Sequence, residues 1–338
     1  MAKSLNEKAK QEMLEYLHKI DKKCPILAST GRNLTKMYLE GKLDKVYNRD
    51  ISAIAVQKIL LRKSKANVLL TGPAGCGKTA IAEHLAAIFA ERTIKFLEER
   101  ISLTARYEKE YSAWQKNVAY DDDGNCTAEW VFAEPKTVKI EPPMLGDIIL
   151  YELSLTALTA GTRFRGDFEE RVQNILNECK GQHNIILFID EIHQIVTSGS
   201  AEGSESAAQM LKPALARKDI CVIGATTTEE AEYIHKDKAL SRRFNEVKVE
   251  PLKGEQARQT AESILLDYGK FHNIGICPSH ATEIVAKLAT FLPDTVFPDN
   301  FINVVDETLA GAKFDGLTDV DMTHFNATLS RIAGVVIL

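Results

Sequence analysis

Residues Gly72-Pro73-Ala74-Gly75-Cys76-Gly77-Lys78-Thr79 spell G-x-x-x-x-G-K-[ST], between an apolar run, Asn67-Val68-Leu69-Leu70, and a helical pattern from Thr79 to Ala90. No other feature limits the fold as sharply. A glycine-rich bend that leaves a strand and enters a helix turns its backbone N–H groups toward an anion, and the helix amino end adds about half a positive charge. The pattern therefore assigns Gly72 through Ala80 to a phosphate cradle, Lys78 to the β- and γ-phosphates of a nucleotide, and the Thr79 hydroxyl to Mg²⁺.

Two further apolar runs share the strand character of 67–70. Ile185 to Ile189 ends in Asp190-Glu191, and Ile220 to Gly224 ends in Ala225-Thr226-Thr227. Strands alternating with helices predict an α/β fold with a doubly wound parallel sheet and a site at the carboxyl ends of its strands. Adjacent carboxylates there divide labour: Asp190 holds Mg²⁺ through water, and Glu191 polarises the attacking water as general base. Thr226 and Thr227 bring a hydroxyl toward the γ-phosphate and that water. Arg242 and Arg243, in Leu240-Ser241-Arg242-Arg243-Phe244, lie far along the chain from the loop. Their natural target is the site of a neighbouring copy, where an arginine supplied in trans is worth about 10³ to 10⁵ in rate.

The remainder bounds the class of protein. The apolar runs, such as Ile185 to Ile189 and Val335 to Leu338, fall far short of the roughly 20 residues that span a membrane, and Met1 to Lys10 lacks a signal-peptide core. The reading is cytoplasmic. Six cysteines without a C-x-x-C pair suggest free thiols, and a net charge of -5 argues against a dedicated duplex-DNA binder. Met13, Leu14, Leu17 and Ile20 at helical spacing predict an amphipathic helix over 5–22 that packs on the main domain. Helical patterns near 254–270, 279–291 and 298–312 predict a smaller helical domain. The expected division is an N-terminal helical extension over 1–26, a large α/β domain over 27–250 and a small helical domain with a tail over 251–338.

At this point the residues resemble the Clp family of AAA+ protein unfoldases and disaggregases (ClpA, ClpB and ClpC), specifically the first of their two ATPase modules. Beside the Walker A loop and the Walker B strand, the similar blocks are Gly31 to Thr35, Gly41 to Asp44, Arg49-Asp50, Ala160 to Arg171, Phe188 to His193, Met210 to Arg217, Ile223 to Thr227 and Ala239 to Phe244. The resemblance implies an AAA+ P-loop NTPase with a small helical lid, binding ATP and Mg²⁺. It implies a homo-oligomer, a hexameric ring or spiral, that threads a protein substrate through its pore. Phe164 between Arg163 and Arg165 matches the pore aromatic that grips polypeptide, with 198–206 as a second channel loop. Val46 and Tyr47 match the stretch that contacts adenine. Pro298 borders the nucleotide, after Phe297, at the place where many AAA+ modules carry a sensor arginine.

Departures accompany the match. A segment over about 94–143 has no counterpart; it reads as a charged helix to about Asn117, an acidic turn at 121–125 and a β-rich stretch over 129–140, and could meet a partner protein. Leu317 to Leu338 resembles the connection into a second module. Ile274-Gly275-Ile276 is expected as a strand or turn of the small domain. The alternatives are an AAA+ switch or loader that remodels another assembly without threading, and a regulatory subunit with little turnover.

Overall fold

The computed structural model describes residues 4–117, 143, 145–154, 158, 165–182, 184–194, 215 and 220–337. The predicted pore residues Arg163 and Phe164, the channel loop at 198–206 and the segment at 118–142 lie outside the described residues, as does the side chain of Arg165.

Helix α1 (Leu5–Lys23) starts at a capping box: the Ser4 hydroxyl accepts from Glu7 N at 3.2 Å and the Glu7 carboxylate accepts from Ser4 N at 2.9 Å. Its apolar stripe is not a loose attachment. Ala9 and Met13 pack with Ala90, Ile94 and Leu97, while Leu17 and Ile20 enter the cluster that also holds Leu69, Tyr151 and Leu187. The chain then forms α2 (Pro25–Thr30), β1 (Gly31–Asn33), α3 (Leu34–Leu39) and α4 (Asp50–Leu60) before β2 (Asn67–Thr71).

From the phosphate-loop motif onward runs α5 (Lys78–Asn117), a single helix of 40 residues. No proline or glycine interrupts 78–117, so nothing breaks it where the unmatched segment was expected to begin, near 94. Ile94 and Leu97 are buried on α1; beyond them the helix carries a ladder of Tyr107, Tyr111 and Trp114 with ring centroids 5.7 and 5.5 Å apart.

After β3 (Ile149–Leu153), α6 (Arg165–Cys179), β4 (Ile185–Ile189), β5 (Cys221–Thr226), α7 (Ala231–Lys236), α8 (Lys238–Ser241) and β6 (Phe244–Lys248), the sheet is complete in the order β1-β3-β4-β5-β2-β6. Its strands are parallel except β1, which pairs antiparallel with β3. The expected parallel sheet is thus present, with one antiparallel strand added at its edge, where no crossover helix is needed. Alternation along the strands feeds two cores. Leu69, Leu187 and Val222 face one side with α6; Val68, Leu70, Phe188 and Ile223 face the other with Leu85 and Phe89 of α5.

The remaining residues form α9 (Gly254–His272), β7 (Gly275–Ile276), α10 (His280–Phe291), α11 (Asp299–Phe314), β8 (Asp319–Val320) and α12 (Met322–Ala333). They share one cluster around Phe301, Leu309, Phe325 and Leu329. Within 274–276, Gly275–Ile276 supply the strand, paired in parallel with β8. The stretch from Leu317 is not a mere connection: β8 and α12 bury Val320, Phe325 and Leu329 in this cluster. No described helix is long and apolar enough to cross a membrane.

Leu17 is wholly buried. Leu17→Ala should lower stability to urea unfolding by about 2–5 kcal/mol. A loss below about 0.5 kcal/mol, the range of an ordinary surface change, would show that α1 is dispensable.

Candidate functional site

β5 pairs with β4 on one side and β2 on the other, so the carboxyl ends of the three strands lie side by side. The phosphate loop leaves β2, Asp190-Glu191 leaves β4, and Thr226-Thr227 ends β5. A Cβ on Gly72 would meet Val249 O at 2.2 Å, so only glycine lets the loop leave the sheet here. Gly77 has φ +87, which favours glycine, and Cys76 is buried, its thiol pushed above the ordinary range by desolvation.

The loop's cation and hydroxyl are already engaged. Lys78 Nζ donates to Gly72 O at 2.9 Å and Pro73 O at 2.8 Å, curled over the loop that it would serve. Thr79 Oγ1 donates to Asp190 Oδ2 at 2.7 Å, and Asp190 Oδ1 accepts from Glu191 N at 2.9 Å. Glu191 has φ 49, a left-handed conformation that costs a non-glycine residue about 1–3 kcal/mol and gathers at functional sites. Its carboxylate is held by the Gln194 side-chain amide.

These groups open into one cavity of about 360 Å³, lined by Ala74, Gly75, Gly77, Lys78, Thr79, Ala80, Asp190, Glu191, Thr226 and Thr227, with Pro298, Asp299 and Ile302 of the helical segment opposite. A second cavity of about 200 Å³ adjoins it, sharing Gly77, Ala80, Pro298 and Ile302 and lined by Val46, Tyr47 and Tyr268. Together they suit a polar phosphate tail and a flat apolar base. The Tyr47 hydroxyl donates to Asp267, and burial together with that bond pushes its pKa up to about 12, so it stays neutral. Phe297 packs on Phe301, with ring centroids 5.8 Å apart.

The donor set fits a hard divalent cation. A threonine hydroxyl and an aspartate carboxylate are oxygen ligands that Mg²⁺ accepts when phosphate oxygens and water complete its shell. Among the described residues no cluster of three or more His, Cys, Asp or Glu is placed to hold a metal by itself.

Arg242 and Arg243 are not brought to this cavity. They precede β6, level with Asn67 at the amino end of β2, where Asn67 Nδ2 donates to Arg243 O at 3.3 Å. They line a different cavity of about 430 Å³ with Leu60, Ile220 and Cys221. The length of β2, about 15 Å, separates them from the phosphate loop of their own chain.

Two functional candidates escaped the sequence reading. Arg49 is buried, its guanidinium donating to Glu250 O at 2.9 Å and to Cys76 O, and an added Gly77 Cβ would lie 3.5 Å from its Nε. Desolvation lowers its pKa, yet an arginine remains charged. Its hydrogen bonds go to carbonyls, and it braces the phosphate loop from behind. Glu230 lines the cavity and binds Thr227. The Thr-x-x-Glu spacing of 227 and 230, a helix-capping signature, was its signal in the sequence.

Residues 68–251 match the ATPase family associated with various cellular activities (AAA). The chain is 37% identical over 289 residues to the chaperone protein ClpB of Helicobacter hepaticus, covering 85% of this chain and 28% of that protein. It is 34% identical over 313 residues to ClpE, the ATP-binding subunit of the ATP-dependent Clp protease of Bacillus subtilis, covering 93% of this chain and 38% of ClpE. Among solved structures it is similar to the S. cerevisiae Hsp104-ADP complex (TM-score 0.66, 30% identity, 92% of this chain and 46% of that one). The S. cerevisiae Hsp104:casein complex gives TM-score 0.67 at 30% identity, over 91% and 45%. The chain thus spans 28% and 38% of the length of these two curated relatives.

Arg49→Met keeps the apolar stem and removes the brace, leaving the Cys76 and Glu250 carbonyls without their partner. Stability should fall by about 1–3 kcal/mol per carbonyl left unpaired. ATP–Mg²⁺ affinity measured by calorimetry should fall about tenfold, the equivalent of one charge-assisted hydrogen bond. An unchanged dissociation constant would show that the loop holds its shape without Arg49.

Proposed function

The chain belongs to the AAA family of ATPases, and we propose that it binds ATP with Mg²⁺ between its sheet and helical segment and hydrolyses it to ADP and phosphate. One observation carries this reading: Lys78, Thr79, Asp190, Glu191, Thr226 and Thr227, drawn from three strand ends, line a single cavity in which Thr79 and Asp190 are joined at 2.7 Å. ATP enters with its base against Val46 and Tyr47 and its phosphates over Gly75 to Ala80. Lys78 leaves the Gly72 and Pro73 carbonyls for the β- and γ-oxygens. Thr79 and Asp190 would hold a Mg²⁺ that arrives with the nucleotide, and it would supply positive charge to the phosphate oxygens. Glu191, released by Gln194, takes a proton from the attacking water as the bond to the leaving oxygen breaks.

Arg242 and Arg243 sit too far away to stabilise their own γ-phosphate, and the reading assigns them to the site of an adjacent copy. Head-to-tail contacts of that kind generate a ring or a spiral. The use of the energy follows from the relatives. ClpB is a chaperone and the similar Hsp104 was solved with casein, which supports a protein as substrate, drawn through the channel by Phe164 between Arg163 and Arg165. An aromatic side chain offers contact area to any peptide without demanding a sequence. A cytoplasmic ring that unfolds or remodels polypeptide is therefore the function proposed.

Glu191→Gln should retain ATP while turnover falls by about 10² to 10⁴. Equal phosphate release by native and variant protein would instead mark a regulatory subunit with little chemistry of its own. Phe164→Ala should abolish remodelling of a fluorescently labelled unfolded protein and leave basal hydrolysis within about twofold. Remodelling that survives this change points to a switch that acts without threading.

A further inference from the structure

Glu230 is an unexpected wall for a triphosphate site. It adds a carboxylate to a cavity that already holds Asp190, Glu191 and Asp299. Like charge opposes the ligand there, so the hydrogen bonds of Glu230 deserve a chemical reading.

Its Oε2 accepts the Thr227 hydroxyl proton at 2.8 Å and lies 3.2 Å from His193 Nδ1, which itself contacts Thr226 Oγ1 at 2.9 Å. The Glu230 backbone N–H donates back to Thr227 Oγ1 at 3.2 Å. Thr227 Oγ1 has one proton and two lone pairs. The proton and one lone pair are spent on Glu230, which leaves a single acceptor position on an oxygen that lines the cavity. A phosphate oxygen is an acceptor and gains nothing from such a group. A water molecule does, because it can donate to it.

We propose that Glu230 is a positioning residue that turns Thr227 into an acceptor for the attacking water. The inference rests on the hydrolytic reading above. A nucleophilic water must aim a lone pair at phosphorus, and it does so best when both of its protons are held elsewhere. Glu191 takes one, the one it removes as the new P–O bond forms; Thr227 holds the other, which stays with the oxygen and leaves in the phosphate product. Glu230 never touches the reacting atoms. It fixes the hydroxyl's direction, and His193 holds the same Glu230 oxygen at 3.2 Å.

The test is a double-mutant cycle on the full chain with ATP and Mg²⁺, read as kcat, KM and the dissociation constant for ATPγS. Glu230→Ala and Thr227→Val should each lower kcat by about 10²-fold, the scale of a misplaced reactant. ATPγS affinity should stay unchanged or tighten as a negative charge leaves. The double variant should be no slower than either single one, since both act on the same water. Glu230→Gln, which retains an acceptor oxygen for Thr227, should keep at least a third of native kcat. A merely structural role predicts falling affinity, additive losses and no rescue by glutamine, and that pattern overturns the proposal. So does native or faster turnover of Glu230→Ala combined with lost affinity in Thr227→Val, which would mean that Thr227 donates to the γ-phosphate. If the native chain shows no ATP hydrolysis at all, the function itself fails, an outcome separate from each of these.

Discussion

The site depends on the hydrogen bond between Thr79 and Asp190. Those residues lie 111 positions apart, on the first turn of α5 and at the end of β4, with β5 between their parent strands. Strand order makes the meeting possible. Because β5 is inserted between β2 and β4, three loops converge on a span of two inter-strand spacings, roughly 10 Å, which is the scale of a triphosphate and its ion. A sheet in another order would carry the same motifs and scatter them.

Much of this was legible in the residues, for a definite reason. Phosphate binding needs glycine, lysine and a hydroxyl within eight positions, so its signature is local and survives without coordinates. Apolar runs that end abruptly in Asp190-Glu191 or Thr226-Thr227 are local too. What was missed is either short, mixed or carried by the backbone. β6 reads Phe-Asn-Glu-Val-Lys, an edge strand with a half-wet face, and β3 contains Glu152 within a five-residue run. Arg49 acts on the carbonyl of Cys76, 27 positions away, and an acceptor common to every residue leaves no mark in a sequence. The ring of Tyr47 offers a packing surface that a sequence can suggest, but its hydroxyl is committed to Asp267, 220 positions on, which a sequence cannot.

That last contact belongs to a short strap with two attachments. Tyr47 and Asn48 bond to α9, the latter through Thr260 Oγ1 at 2.8 Å, while Arg49 next door grips the phosphate loop and Glu250. Asn48 accommodates the sharp turn between them at φ 54, a region that asparagine tolerates better than most residues. The glycine-rich loop and helix α9 are therefore mechanically linked through three consecutive side chains. Pro298 and Ile302, which wall both cavities, close the circuit from the opposite side.

The uninterrupted helix α5 has a leverage of its own. Lys78 and Thr79 form its first turn, and Asn117 its last, so a rod about 60 Å long begins at the glycine-rich loop. Its packing on α1 runs to Ile101, and among the described residues the part beyond, with its aromatic rungs, belongs to neither sheet core. A tilt of only about 5° at the phosphate end would sweep the tip through about 5 Å, a tenfold gain over the sub-ångström adjustments by which a loop settles on its ligand. A helix of this length, unbroken by proline or glycine, magnifies at its far end any tilt of its first turn.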